Sequence, residues 1–261
     1  MRYPKMAPRL STTQVTRASR LPISVDTVAK SQVPGCHIRQ QSDIAWQFDY
    51  EHFDPDYWRH QPDFVATIGG RGGSSLIEID GRKAVLRRYH RGGAAGEMFH
   101  DQYFWVGQSL TRPWREWDIL VRARNAGLPA PEPIAACACR TFLWYRAALI
   151  TGFLEDTEML TQRLRREKLP ADGWYRLGLL IKRMHAAGIR HADLTSDNIL
   201  MDSQDHFYLV DFDKARIMNQ IDDWQWQPLY RFQRSMNKRH RHQALNFDEA
   251  DWQLLMDGYQ S

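Results

Sequence analysis

One stretch decides the fold: His191-Ala-Asp193-Leu-Thr-Ser-Asp-Asn198-Ile-Leu-Met, followed by the apolar strand Phe207-Tyr-Leu-Val210 and by Asp211-Phe-Asp213. Asp193 lies five residues before Asn198, so one short loop can aim a carboxylate and an amide at the same atom. Asp211 adds a second carboxylate thirteen residues after Asn198. An H-x-D triplet alone more often only caps a turn. The joint order and spacing indicate phosphoryl transfer.

Phosphoryl transfer explains why these residue types occur together. Asp193 is the predicted catalytic base, because a carboxylate must orient the acceptor hydroxyl and take its proton. Asn198 and Asp211 are the predicted ligands of Mg²⁺, which holds the phosphates of ATP. The spacing is that of a kinase catalytic loop. We therefore predict an α+β, protein-kinase-like fold of two lobes, with ATP and Mg²⁺ as cofactors.

The length and the periodicity of the chain fit this fold. Its 261 residues, 43% of them hydrophobic, can form one large domain or two modest lobes. The predicted parts are a flexible basic tail over residues 1–34, an antiparallel small lobe over 35–152 and a shortened, mainly helical large lobe over 153–261. The predicted elements are strands at 64–68, 76–79, 83–89, 131–134 and 142–154 and helices at 113–125 and 174–187.

The composition narrows the environment and the partners. Three cysteines are too few and too unevenly spaced for a disulfide framework, so a reducing cytosol is expected, with Cys137 and Cys139 as small buried side chains. No secretory signal and no apolar run long enough to span a bilayer is found in the sequence. The net charge of +4 favours an anionic partner. The ten tryptophans are dispersed, which argues against nucleic-acid binding.

A glycine-rich turn precedes the third predicted strand. Gly70, Arg71, Gly72 and Gly73 would let backbone amides approach phosphates closely. A run of glycines also occurs in ordinary hairpins, and the last glycine of G-x-G-x-x-G is absent. The position of this turn before the strand favours a phosphate-covering role.

Arg87 is the predicted ligand of the α- and β-phosphates, since it stands where the kinase motif V-A-I-K has its lysine. Lys83 shares its face of the strand but lies about 13 Å away along it. Glu116, in the following helix, is the predicted ion-pair partner of Arg87. The alternative is that Glu116 is a solvent-facing helix acid.

Two departures from protein kinases concern the acceptor. Ala192 replaces the arginine of H-R-D, which usually pairs with a phosphorylated activation segment. Thr195 stands where Ser/Thr kinases have a lysine, and only 50 residues follow Asp211. A full peptide-binding lobe does not fit in this length, so we expect no protein substrate.

Beyond the kinase motifs, several segments over roughly residues 40–240 resemble the Kdo kinases, bacterial enzymes of lipopolysaccharide assembly. Arg91-Gly92-Gly93 after the third predicted strand, combined with H-A-D-L, is more specific than any kinase motif alone. The segments that carry the resemblance are Gly70-Arg-Gly72, Val85-Leu-Arg-Arg-Tyr-His-Arg-Gly-Gly93, Thr111-Arg-Pro-Trp-Arg-Glu116, Gly127-Leu-Pro-Ala-Pro131, Tyr145-Arg-Ala147, His191-Ala-Asp-Leu194, Asn198-Ile-Leu200 and Val210-Asp-Phe-Asp213.

The resemblance implies transfer of the ATP γ-phosphate to the 4-hydroxyl of 3-deoxy-D-manno-octulosonic acid (Kdo) on a lipid A precursor. It also implies a peripheral position at the cytoplasmic face of the bacterial inner membrane, against an anionic surface. Matching motif positions give the base role to Asp193 and the metal-ligand roles to Asn198 and Asp211. Two alternatives remain. One is another sugar-hydroxyl kinase, such as a core heptose kinase or an aminoglycoside phosphotransferase. The other is a pseudokinase scaffold that binds lipid.

Residues 229–242 contain no acid and have the pattern of a basic amphipathic helix. One hypothesis is that this helix holds the protein at lipid phosphates. The alternative is an ordinary helix that docks by its apolar stripe and leaves a solvated basic face. The apolar stripe consists of Leu229, Phe232 and Met236, and the basic stripe of Arg231, Arg234, Lys238 and Arg241.

Overall fold

The computed structural model describes residues 26–68, 73–89, 102–219, 223–243 and 245–261. These residues form a mixed α+β protein with six α-helices and thirteen strands. The helices are α1 (Pro55–Trp58), α2 (Arg112–Asn125), α3 (Leu160–Arg166), α4 (Ala171–Ala186), α5 (Trp226–Gln243) and α6 (Glu249–Gln260). The strands are β1 (Asp26–Lys30), β2 (Cys36–Gln41), β3 (Phe64–Ile68), β4 (Ser74–Ile79), β5 (Arg82–Arg88), β6 (Tyr103–Phe104), β7 (Pro133–Thr141), β8 (Trp144–Gly152), β9 (Thr157–Met159), β10 (Ile189–Arg190), β11 (Ile199–Asp202), β12 (Phe207–Leu209) and β13 (Arg216–Ile217).

Eight strands form one antiparallel sheet in the order β1-β2-β7-β8-β5-β4-β3, with β6 paired to β8. The hairpin of β4 and β5 closes at Asp80 and Gly81, which both have positive φ, as a tight two-residue turn requires. Two smaller sheets pair β10 with β13 and β11 with β9 and β12. The predicted antiparallel sheet is thus present.

Strand β7 starts and ends later than the strand predicted at residues 131–134. Seven of its nine residues, from Pro133 to Cys139, are buried. Because both faces of the strand are covered, small apolar residues follow one another without the alternation that marks a half-buried strand. Its neighbour β8 ends at Gly152, where the predicted small lobe also ends.

The prediction of a flexible tail over residues 1–34 is wrong for residues 26–30. The backbone of β1 pairs with β2 in a regular register from Asp26 opposite Gln41 to Lys30 opposite His37. This strand depends on hydrogen bonds to its partner rather than on a hydrophobic pattern of its own, so it could not be predicted from the sequence. Residues 1–25 lie outside the described part of the chain.

Two of the three cysteines are joined, contrary to the expectation from their number and spacing. Cys36 in β2 forms a disulfide with Cys139 in β7, although 103 residues separate them in sequence. The register of the sheet places the two residues directly opposite each other. Cys137 is a buried free thiol, as expected, and its Sγ lies 3.5 Å from that of Cys139. Strand pairing, which the sequence does not display, brings the two residues together.

Helices α4 and α6 cross at very close range through two glycines. A Cβ atom added to Gly178 would lie 2.0 Å from the carbonyl oxygen of Leu255, and one added to Gly258 would lie 2.0 Å from that of Tyr175. Beside this crossing, His185 Nδ1 lies 2.8 Å from the Tyr259 hydroxyl. The close crossing fixes α4, whose end leads directly into the segment that begins at residue 189.

Helix α5 packs by its apolar stripe. Leu229, Phe232 and Met236 are buried in the larger of two hydrophobic clusters, which also contains residues of α2, α4 and α6. The apolar face of this helix is therefore docked against the core, as the alternative of an ordinary docked helix predicted. In the part of the chain that the structure describes, no helix combines the length and the hydropathy needed to cross a membrane.

The glycine crossing predicts a strong effect of one methyl group. Gly178→Ala should lower the free energy of unfolding by at least about 2 kcal/mol, because the backbone of α6 must move away. Gly173→Ala, in the same helix, is the matched control: its Cβ would only touch neighbours at 3.7 Å. It should raise stability by about 0.4–1 kcal/mol. Urea denaturation measures both, and equal stabilities of the two variants would contradict the proposed crossing.

Candidate active site

A cleft of about 620 Å³ lies between the large sheet and the segments that follow it. Val85 and Leu149 line it from the sheet, Met159 and Leu200 from β9 and β11. Apolar walls of this kind suit a flat aromatic ring. The polar end of the cleft contains four predicted site residues, namely Arg87, Glu116, Asn198 and Asp211.

Arg87 joins β5, α2 and the Asp211 turn. Its Nη2 atom donates to both carboxylate oxygens of Glu116, at 2.5 and 2.6 Å. Its Nη1 atom donates to Asp211 Oδ1 at 2.8 Å. The predicted ion pair with Glu116 is thereby confirmed, and the solvent-facing alternative is wrong, since the Glu116 side chain is only 4% exposed. The predicted role of both residues in phosphate binding remains a prediction.

The buried pair is supported by a tyrosine. The Tyr89 hydroxyl donates to Glu116 Oε2 at 2.5 Å. Burial and the negative charge of Glu116 raise the pKa of Tyr89, so this hydroxyl keeps its proton. Burial opposes the charge of Arg87, but Glu116, Tyr89 and Asp211 together outweigh it and raise the pKa of the guanidinium above its usual range. Arg87 therefore stays charged and donates charge-assisted hydrogen bonds to Glu116 and Asp211.

Lys83 is not near this site, as predicted from its position on the strand. Its Nζ atom lies 3.3 Å from the exposed Glu155. Arg87 is therefore the cation of β5 that lies at the polar end of the cleft.

The Asp211-Phe-Asp213 turn is held on three sides. Asp211 has φ +60°, a left-handed conformation in which a non-glycine residue is strained, as is common at functional sites. Phe212 is fully buried against the ring of His191, with 5.0 Å between the ring centroids. Asp213 is bound by two nitrogens of Arg112, the first residue of α2, with Nε 2.6 Å from Oδ1. Thus α2 contacts the turn directly through Arg112, and its Glu116 is linked to Asp211 through Arg87.

His191 locks the predicted catalytic loop to this turn. Its Nε2 atom donates to the carbonyl of Val210 at 3.0 Å. Burial lowers the pKa of His191, so the ring is neutral and serves as a donor on this side. The Val210 amide in turn donates to the carbonyl of Asn198 at 3.0 Å. One hydrogen bond to the Val210 carbonyl and one from the Val210 amide therefore fix the distance between the loop and Asp211.

Asn198 and Asp211 fit the predicted Mg²⁺ site by their chemistry. Asn198 Nδ2 donates to the carbonyl of Asp193 at 2.9 Å, which leaves the amide oxygen available as a ligand. Asp211 has one oxygen bound by Arg87 and one that can coordinate a cation. Among the described residues no group of three or more His, Cys, Asp and Glu could hold a metal. A magnesium ion held by one carboxylate, one amide and nucleotide phosphates needs no such group.

Asp193 is bound by two cations from outside its loop. Arg231 of α5 contacts Oδ1 through Nη2 and through Nε, the latter at 3.1 Å, and Lys214 Nζ lies 3.2 Å from Oδ2. Burial alone would raise the pKa of Asp193, but the hydrogen bonds from Arg231 and Lys214 outweigh it and lower the pKa. Asp193 is therefore a carboxylate at neutral pH, the form that a base requires.

Helix α5 faces the catalytic loop with part of its basic surface. Arg239, two turns after Arg231, forms an ion pair with Asp197 of the same loop. The sequence placed Arg231 on a stripe directed at lipid, whereas the structure directs it to Asp193. Arg234, Lys238 and Arg241 are exposed.

Three cations of the site, Arg112, Lys214 and Arg239, had no assigned role in the sequence analysis, and Arg231 had been assigned to lipid instead. The sequence contained one indication of such a cation, because Asp213 is an acid where kinases have glycine and an acid there requires a cation nearby. It did not indicate which arginine or lysine pairs with Asp213. Of the predicted glycine turn, Gly70, Arg71 and Gly72 lie outside the described residues, and Gly73 directly precedes β4, whose first residue Ser74 lines the cleft.

The sequence matches the model of the lipopolysaccharide kinase (Kdo/WaaP) family over residues 55–259. It is 35% identical over 209 residues to a 3-deoxy-D-manno-octulosonic acid kinase of Vibrio vulnificus (strain YJ016), covering 80% of this chain and 88% of the relative. A kinase of the same name from Actinobacillus succinogenes is 36% identical over 216 residues, covering 80% and 90%. One from Xanthomonas campestris pv. campestris (strain B100) is 35% identical over 216 residues, covering 82% and 85%.

The forked contacts of Arg87 predict that lysine cannot replace it. Arg87→Lys keeps the charge but cannot bind Glu116 through two bonds and also reach Asp211. We expect the dissociation constant for Mg²⁺-ATP to rise by about 10-fold, the loss of one charge-assisted hydrogen bond. Isothermal titration measures it. Lys83→Gln, on the same strand, is the control and should stay within about twofold of wild type; equal affinities of Arg87→Lys and Lys83→Gln would refute the role of Arg87.

Proposed function

Because the chain belongs to the lipopolysaccharide kinase (Kdo/WaaP) family, we propose that it transfers the γ-phosphate of ATP to the 4-hydroxyl of Kdo on a lipid A precursor. One observation above all supports this proposal. The loop of Asp193 and Asn198 and the turn of Asp211 are locked together at the polar end of the cleft. The names of the relatives point to Kdo rather than to heptose or an aminoglycoside as the acceptor.

The proposed architecture is that of a two-lobed kinase. The large sheet and α2 belong to the small lobe, residues 35–152, and the segments from residue 153 onwards form the large lobe. Nucleotide then lies in the cleft between them, with its base against the apolar walls. The glycine-rich turn, including Gly73, covers its phosphates, and Arg87 binds the α- and β-phosphates while Glu116 holds the guanidinium in place.

The proposed chemistry divides the work among few residues. Asn198 and Asp211 would hold Mg²⁺, which neutralises charge on the phosphates when it is bound. Asp193 orients the acceptor hydroxyl and takes its proton as the oxygen attacks the γ-phosphorus and ADP leaves. Among the described residues, Oδ2 of Asp193 accepts one hydrogen bond, from Lys214, so a lone pair of this oxygen remains for the acceptor hydroxyl.

Removal of the base tests the function directly. Wild-type protein with labelled ATP and a Kdo-bearing lipid A precursor should give a phosphorylated glycolipid. Asp193→Ala should lower the rate of transfer by about 10³- to 10⁴-fold while ATP affinity stays within about twofold, because the base acts in the transition state. Asp211→Ala is the contrast and should weaken Mg²⁺-ATP binding.

Two results would contradict the proposal. One is transfer to a heptosylated core acceptor in preference to the Kdo-bearing precursor. The other is a large loss of ATP affinity in Asp193→Ala, which would place Asp193 on the nucleotide rather than on the acceptor.

We further propose that the protein binds the cytoplasmic face of the inner membrane peripherally. The apolar stripe of α5 is buried and unavailable for insertion, so contact with an anionic surface would be electrostatic. The exposed cations Arg234, Lys238 and Arg241 support such a contact. A Kdo-bearing lipid A precursor is itself lipid-anchored and anionic, so the same cations would serve its approach.

The triple variant Arg234→Gln/Lys238→Gln/Arg241→Gln tests this contact. Each exposed cation near an anionic surface contributes about 1 kcal/mol, so binding to phosphatidylglycerol vesicles should fall by about 100-fold. Vesicle sedimentation at low salt measures it. The control is Arg59→Gln/Arg82→Gln/Arg183→Gln, which removes the same charge from exposed positions elsewhere. An equal loss in both triple variants would leave only net charge as the cause and reject α5 as the contact.

A further inference from the structure

The two cations on Asp193 lie at the solvent side of the site. The exposed fraction of the side chain increases from 21% for Asp193 to 42% for Arg231 and 65% for Lys214. An anion that approaches Asp193 from solvent therefore meets these two cations before it reaches the carboxylate.

Among the residues that the structure describes, the pairing of charges leaves a surplus of positive charge at Asp193. Asp213 is bound by Arg112, and Asp197 is bound by Arg239. Asp193 has to balance two cations with a single negative charge. A second anion bound here would complete the pairing, since each cation would then have a partner of its own.

The surplus lies on the acceptor side of the base. Asn198, Asp211 and Arg87 line the cleft proposed for nucleotide, whereas the described lining of that cleft contains neither Arg231 nor Lys214. The two cations instead contact the carboxylate that must face the acceptor hydroxyl.

We propose that Arg231 and Lys214 bind the carboxylate of the acceptor sugar acid and thereby select acidic sugars over neutral ones. The inference rests on the proposed function, under which the acceptor is an octulosonic acid phosphorylated on C4, close to the carboxyl-bearing C2. The planar fork of Arg231 fits a carboxylate through two parallel hydrogen bonds, and Lys214 adds a mobile point charge.

Binding of this carboxylate also prepares Asp193 for catalysis. When the acceptor takes over hydrogen bonds of Lys214 and Arg231, Asp193 loses part of the positive charge that lowers its pKa and becomes a stronger base. A neutral sugar offers no such exchange, and Asp193 keeps its hydrogen bonds to both cations. The carboxylate therefore contributes to the rate of transfer as well as to acceptor affinity.

The experiment compares two acceptors that differ only in this charge. The first is a deacylated, water-soluble lipid A precursor with one Kdo residue, and the second is the same compound with the Kdo carboxyl as its methyl ester. Wild type should prefer the acid in kcat/KM by about 10- to 100-fold, the range expected for a charge-assisted hydrogen bond. In Arg231→Gln and in Lys214→Gln, this preference should fall to about its square root or below, that is, to about 3- to 10-fold or less. The affinity for ATP should not change in either variant.

Arg216→Gln is the matched control, because Arg216 is an exposed cation two residues after Lys214 and has no described contact with Asp193. It should keep the wild-type preference, and Arg231→Lys should retain part of it. An undiminished preference for the acid in both Arg231→Gln and Lys214→Gln would overturn the inference while leaving the proposed function intact. If wild type phosphorylates neither acceptor although it binds ATP, the proposed function fails, and the inference fails with it.

Discussion

Arg87 holds together three parts of the chain that are far apart in sequence. Its guanidinium contacts Glu116 in α2 and Asp211 in the turn, while its backbone belongs to β5, an interior strand of the large sheet. Glu116 is buried, so the free energy of placing its carboxylate there is recovered only if the guanidinium stays in position. Tyr89 supplies one further hydrogen bond to the same carboxylate. This ion-pair network therefore links α2 and the turn to the sheet, beside the apolar contacts of the core.

A second network of charges organises the acceptor side. Helix α5 buries its apolar stripe against the core and places Arg231 and Arg239 on the acids of the catalytic loop. The same helix thus stabilises the fold and sets the electrostatics around Asp193. Its remaining cations face solvent, where an anionic lipid surface can meet them. In the proposed function, nucleotide and acceptor would be bound by separate sets of cations, one from β5 and one from α5 and the segment after the turn.

The sequence predicted well those features that depend on local pattern. Asn198 and Asp211, thirteen residues apart, line one cleft, the strands predicted at 76–79 and 83–89 pair with each other, and α2 begins one residue from its predicted start. Prediction failed for features that depend on pairing with a strand from elsewhere in the chain. Strand β1 exists because β2 pairs with it, and the Cys36–Cys139 disulfide exists because β2 also pairs with β7.

The sequence by itself determined which chemistry is available: a loop with a base, an amide and a second carboxylate at fixed spacing can serve phosphoryl transfer, whatever surrounds it. Only the tertiary structure decided which cations meet these acids. Arg112, Arg231 and Arg239 are three among many arginines, and nothing in their local sequence sets them apart. Ion pairs between distant residues depend on how helices pack, and packing is set by burial of their apolar faces rather than by the charges themselves.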